Sequence, residues 1–162
     1  MEDYRFTVEP GKQEIVIEEV FDAPRDVVFD LYNDPDLMSK WWGPSRLTTM
    51  IDKIETRPGG SWRVVQRDTD GTEYGFHGVI HDIVRPEYVV RTFEWEGMPG
   101  HVLLEVARFE EIDGKTRVRA KSVFESVEDR DGMAQSGMEE GVRESHERFT
   151  KLLSTRKTRR AA

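Results

Sequence analysis

The chain has no cysteine. That excludes a disulfide framework, a zinc–thiolate centre and a cysteine nucleophile, and it fits the reducing cytoplasm expected as its location. No apolar run approaches the roughly 20 residues a membrane span needs. The opening segment Glu2-Asp3-Tyr4-Arg5 is polar, unlike a secretory signal. Positive charge is in deficit: 24 Lys and Arg against 32 Asp and Glu give a net charge of -8. Nucleic-acid binding depends on Lys and Arg to neutralise phosphates, so this balance argues against it. No Gly-x-Ser-x-Gly elbow is present, nor a complete Gly-x-x-x-x-Gly-Lys-Ser/Thr phosphate loop in a βαβ context. Serine hydrolases of that kind and Walker or Rossmann nucleotide binders are therefore set aside.

What is present is enough for one domain. The 162 residues are 36% hydrophobic and 35% charged, the balance of a globular core under a heavily solvated surface. Residues 1–12 read as a lead-in ending in Pro10-Gly11, residues 13–153 as the domain, and residues 154–162 as a flexible basic tail with Arg156, Lys157, Arg159 and Arg160. Gln13 to Phe21 alternates like a strand, with Ile15, Ile17 and Phe21 on one face. Asp22-Ala23-Pro24 starts a short helix, and Asn33-Asp34-Pro35 stops it and starts another.

From Ile51 to Phe124, apolar and β-branched runs alternate with the turn signals Pro58-Gly59-Gly60, Asp70-Gly71, Arg85-Pro86, Gly97-Met98-Pro99-Gly100 and Asp113-Gly114. This predicts a meander of about six antiparallel strands. Val118, Ala120, Ser122 and Phe124 face one way, and Arg117, Arg119 and Lys121 the other. From about Asp129 to Ser154, Met138, Val142, Ser145, Phe149 and Leu152 trace the stripe of one long amphipathic helix. The predicted class is α+β: a curved antiparallel sheet around a long C-terminal helix, with two short helices after the first strand. A gap between sheet and helix would be the cavity.

Several blocks carry a family resemblance. They are Phe21-Asp22-Ala23-Pro24-Arg25, Asp34-Pro35, Lys40-Trp41-Trp42-Gly43-Pro44, Arg57-Pro58-Gly59-Gly60-Ser61-Trp62-Arg63, Asp70-Gly71-Thr72-Glu73-Tyr74, Gly78, Pro86-Glu87, Thr92-Phe93-Glu94-Trp95, and Gly137-Met138-Glu139-Glu140-Gly141 running into Glu144-Ser145. Over about residues 13 to 153 the chain resembles bacterial proteins similar to the activator of Hsp90 ATPase homologue, within the START-like, Bet v 1-like superfamily. The resemblance implies a helix-grip fold and a central cavity that binds hydrophobic small molecules. Relatives of this type include polyketide cyclases, and the eukaryotic namesake stimulates a chaperone. Members often carry a basic residue where this chain has Glu19. An inward Glu19 requires a partner such as an inward arginine.

The cavity-lining candidates are Trp42, Trp62, Tyr74, Phe76, Ile80, Trp95, Val118, Ser122, Met138, Val142 and Ser145. Trp41 and Trp42 fit either a cavity wall or a plug between the small helices and the sheet. Ser122 and Ser145 would give a ligand directional contacts. Tyr74, Phe76, Gly78 and Ile80 share a strand face, and Gly78 marks a bend or a close approach. His77 and His81 on one strand stand roughly 13 Å apart, too far for one ion, so no metal is expected. Asp82, Glu94 and Glu105 are strand carboxylates expected on a solvated face. No catalytic residue and no cofactor is assigned.

The leading expectation is non-catalytic binding of a small hydrophobic or amphipathic molecule. The alternatives are a cavity enzyme of the cyclase, dehydratase or hydrolase type, and a co-chaperone-like interaction module. The expected partner is the small ligand, with no nucleic acid and no membrane. A homodimer is compatible with the sequence, and a chaperone partner ranks last.

Overall fold

Where apolar and charged side chains alternate, the chain pairs into strands, and where apolar residues recur every three or four positions it coils. The computed structural model describes residues 3–161, with side chains through Arg156. In chain order the elements are β1 (Tyr4–Thr7), β2 (Glu14–Phe21), α1 (Arg25–Asn33), α2 (Pro35–Met38), β3 (Thr48–Ile54), β4 (Ser61–Arg67), β5 (Glu73–Val84), β6 (Tyr88–Trp95), β7 (Val102–Ile112), β8 (Lys115–Val123), α3 (Val127–Ala134) and α4 (Met138–Ala161).

The eight strands form one antiparallel sheet in the order β1-β2-β8-β7-β6-β5-β4-β3. β3 to β8 are the expected six-stranded meander, and β2 closes against β8. The chain therefore enters the sheet at the β1 edge, runs back along β2, leaves through α1 and α2, and re-enters at the far edge with β3. Register shifts at Ile51/Lys53 and Ile80/Asp82 mark bulges that bend the outer strands. With α4 across the concave side, this is the helix-grip arrangement predicted above.

Side-chain parity sets the two faces. On β8, Thr116, Val118, Ala120 and Ser122 are buried while Arg117, Arg119 and Lys121 lie on the wetter side. Asp34 caps α2, its carboxylate accepting from Asp36 N at 2.9 Å, and Ser126 caps α3 by accepting from Asp129 N at 3.0 Å.

Three expectations need correction. The predicted long helix from Asp129 is two helices, broken at Gly137 (φ 87), a conformation in which a side chain is strained. The lead-in contains a strand: β1 pairs with β2, Phe6 opposite Ile17. And α4 continues to Ala161, through the segment read as a tail. The side chains of Lys157, Arg159 and Arg160, and the chain's last residue, lie outside the described residues.

The core is in two pieces. One cluster packs Val28, Phe29, Leu31, Trp41, Trp62, Val64, Val118 and Phe149 around the α1–α2 end. The other holds Ile15, Ile17, Leu103 and Phe124, with Met133, Met138 and Val142 against it. Phe93 packs on both.

Candidate functional site

Between the two clusters the concave face turns polar. Ser122 on β8 is in register with Glu105 on β7, Glu105 with Arg91 on β6, and Arg91 with Ile80 on β5. Cross-strand partners share a face, so this row points at α1 and α4. Arg91 donates from Nε and Nη2 to Glu105 Oε1 at 3.2 and 3.0 Å. The side chains are 12% and 17% exposed, which corrects the expectation that Glu105 is solvated. The guanidinium also lies over the Trp62 ring, 5.4 Å from its centroid. Burial works against the Arg91 charge, but Glu105 offsets it and the guanidinium is held above its usual range. Tyr32 on α1 is pushed up well beyond the ordinary phenol range by burial first, with Glu105 adding and Arg91 opposing. It is a neutral hydroxyl at all working pH values.

Glu19 does point inward. Its partner is His146 on α4, Nδ1 to Oε2 at 2.8 Å, with both side chains 13% exposed. The imidazole sits against Phe21 and Tyr4, ring centroids 4.9 and 5.7 Å apart.

Space in this interior is small. A pocket of about 10 Å³ is lined by Tyr32, Asn33, Met38, Ile54, Thr56, Trp62, Ile80, Val89 and Arg91. That is room for about one water. It lies at the α1–α2 end. The gap expected beneath the last helix is filled over that helix's later turns by Phe149, whose ring meets Phe21 at 4.4 Å and Trp41 at 5.1 Å, and by buried Leu153.

Trp62, which lines this pocket, also begins a line of aromatic rings. Trp62 and Phe93 are 5.8 Å apart, Phe93 and Phe76 5.3 Å, and Phe76 and Trp42 5.5 Å. Phe93, Phe76 and Trp42 are each only half-buried, as are Met138, Val142 and Ser145 in the first turns of α4. Gly78 lets Trp62 lie flat on β5, and the indole Nε1 donates to Thr92 O at 3.1 Å. The loop after α2 is clasped to α4. Gly43 N donates to Ser145 Oγ at 2.8 Å, Ser45 N to Glu144 Oε2 at 2.8 Å, and Arg148 Nη1 to Gly43 O at 3.0 Å. Gly43 has φ 85, and any Cβ there would run into the Gln66 amide.

The candidates are thus divided. Trp62 and Ile80 line the pocket, and Trp42 and Phe76 belong to the aromatic line. Ser122 sits in the polar row, and Ser145 is part of the clasp. Met138 and Val142 pack on the second cluster, and Val118 is plain core. Tyr74 lies opposite Gln66 near the open end, and Trp95 is exposed at the end of β6. Arg91, Tyr32, Phe93 and His146 were missed. Arg91 was open to discovery from the alternation Val89, Arg91, Phe93, which puts a charge in an apolar row. Asp82 accepts from Tyr88 Oη at 2.7 Å, and Glu94 from Gly100 N at 2.7 Å, and neither lines the pocket. Among the described residues no group of three or more His, Asp or Glu is placed to hold a metal, and no helix is long and apolar enough to cross a membrane.

Residues 22–154 match the family model described as Activator of Hsp90 ATPase homolog 1-like protein. No curated protein matches the chain. Among solved structures, protein Ms6760 from Mycobacterium smegmatis is similar with a TM-score of 0.84 at 23% identity, over 92% of this chain and 95% of that one. A protein from Arthrobacter aurescens has a TM-score of 0.84 at 27% identity, covering 93% and 91%. The AHSA1 protein from Silicibacter pomeroyi has a TM-score of 0.73 at 22% identity, covering 88% and 99%.

Proposed function

The chain belongs to the Activator of Hsp90 ATPase homolog 1-like family, a fold built around a ligand-binding cavity, and from that premise we propose that it binds a small, mostly apolar molecule without transforming it. The molecule lies along the rings of Trp42, Phe76 and Phe93 under the first turns of α4, with one polar atom turned toward Arg91. The observation that carries this reading is the half-buried aromatic line ending at a buried guanidinium. Rings left half-covered on a concave face gain roughly 25 cal/mol for each Å² of apolar surface a ligand removes from water. One fixed donor then sets orientation.

Binding is favoured over catalysis because, among the described residues, the only titratable groups lining the pocket are Tyr32, kept a neutral phenol, and Arg91, kept a cation. A general acid or base needs a free proton site facing the substrate. The test is a titration of ¹⁵N-labelled protein with fatty acids, sterols and neutral aromatic ketones. The expected result is saturable shifts at the indole N–H of Trp42 and Trp62 and the amide of Phe93. If no compound shifts them below about millimolar, the reading fails.

A further inference from the structure

Arg91 reaches the pocket already neutralised, and that restricts what a ligand can offer it. Its Nε and Nη2 both go to Glu105 Oε1, which leaves Nη1 outside the pair. The other groups around it are apolar or uncharged: the Trp62 face, Tyr32, Ile80 and Val89. A ligand carboxylate brought to Arg91 would meet the Glu105 carboxylate in a space almost closed to water, where like charges repel with little screening. The pocket beside the guanidinium is about 10 Å³ and, among the described residues, is lined by no charged group other than Arg91 itself.

Resting on the binding reading above, we propose that the site selects uncharged ligands that present a single carbonyl-type acceptor on an aromatic or fused-ring body, and that Glu105 is the residue that rejects acids. Nη1 donates to that oxygen, the ring system lies along Phe93 and Phe76, and the Trp62 ring, which lies under the guanidinium and beside Phe93, borders both head and body.

The experiment compares 2-acetylnaphthalene with 2-naphthoate at neutral pH, two molecules of like size that differ in the charge of the head. Binding is followed by calorimetry and by quenching of tryptophan fluorescence. The ketone is expected to bind at least about tenfold more tightly than the acid. Glu105→Gln, which frees the Arg91 charge, is expected to narrow that ratio by about tenfold or reverse it. Should E105Q not fold, the double variant R91M/E105L removes the donor and the repelling carboxylate together. It is expected to weaken ketone binding about tenfold while the acid, its charge buried unpaired, stays the weaker ligand, and unchanged ketone affinity in it would overturn the role of Arg91. Equal or tighter binding of the acid by the unaltered protein overturns the selectivity and leaves the binding reading standing. If neither compound binds, the selectivity falls, while the titration with fatty acids, sterols and ketones decides the binding reading separately. A folded E105Q that keeps the original ratio removes Glu105 from its role.

Discussion

At the residue scale, what decides this interior is where single charges and single hydrogen atoms fall. Gly78 is the plainest case. A Cβ there would meet the Thr92 carbonyl and the Trp62 indole nitrogen, and a backbone atom cannot step aside as a flexible side chain can. Gly78→Ala is expected to destabilise the protein by roughly 1–3 kcal/mol and to shift the tryptophan emission, because Trp62 loses its seat on β5 and its bond to Thr92. Urea unfolding followed by fluorescence measures both. On the opposite face Glu96 is held down at about 2 from an ordinary 4.5, chiefly by its bonds to Arg63, with burial opposing and His77 adding. Its folded pKa lies below its unfolded one, so its contribution is whole above pH 4.5 and is lost as pH falls toward 2. E96Q is expected to show a flatter fall of urea midpoint across that window than the unaltered protein.

The same scale shows why part of the site was legible and part was not. Alternation put Phe76, Ile80 and Ser122 on the inner face, where they are. It put Glu19 there too, but parity says nothing about a partner 127 positions away on α4. Glu105 was misjudged because a carboxylate on a strand is usually solvated. The charge that makes its burial tolerable comes from the neighbouring strand, and that pairing depends on register.

At the element scale, the misreading of the last helix has a simple cause. The three-and-four stripe is traced only from Met138 onward, and the sequence reading joins the residues before it to the same helix because glycine within a helix costs only about 1 kcal/mol. The break lies in the backbone angle of Gly137, which the side-chain pattern does not record. The turn frees α4 to set its own direction, and its second to fourth turns then clasp the loop at Gly43 and Ser45. Ser145 is the hinge of that clasp, accepting from Gly43 N and donating to Gly141 O at 2.9 Å. Ser145→Ala leaves the Gly43 amide without its acceptor. The expected result is a loss of about 1 kcal/mol in stability and faster hydrogen exchange at Gly43 and Ser45, with amides in β8 unaffected. Exchange that slows or spreads evenly over the sheet would show that the clasp does not hold the loop.

At the scale of the whole molecule, the closed interior and the half-open aromatic line have to be reconciled. Pockets for small molecules commonly enclose about 300–1,000 Å³, whereas the space beside Arg91 is about 10 Å³. A ligand therefore enters by moving something, and the geometry leaves one cheap movement. The later turns of α4 are pinned by Phe149 and Leu153 in a ring-lined core. The earlier turns and the loop at Gly43 are joined by four polar bonds, the fourth from Ser45 Oγ to Glu144 Oε2 at 3.0 Å. Each is worth about 1 kcal/mol net, so parting all of them costs about 4 kcal/mol, less than unpacking Phe149 and Leu153 together. Binding to a protein whose competent state is a minority is weakened in proportion to that minority, and the ligand must wait for the competent state to open. In stopped-flow mixing with a neutral aromatic ligand, the observed rate is expected to rise with concentration and then level off at the rate of loop release. S145A, by weakening the clasp, is expected to raise that plateau several-fold. A rate that climbs linearly without limit, in both proteins alike, would mean that the concave face is already open and that the clasp at Gly43 plays no part in admitting the ligand.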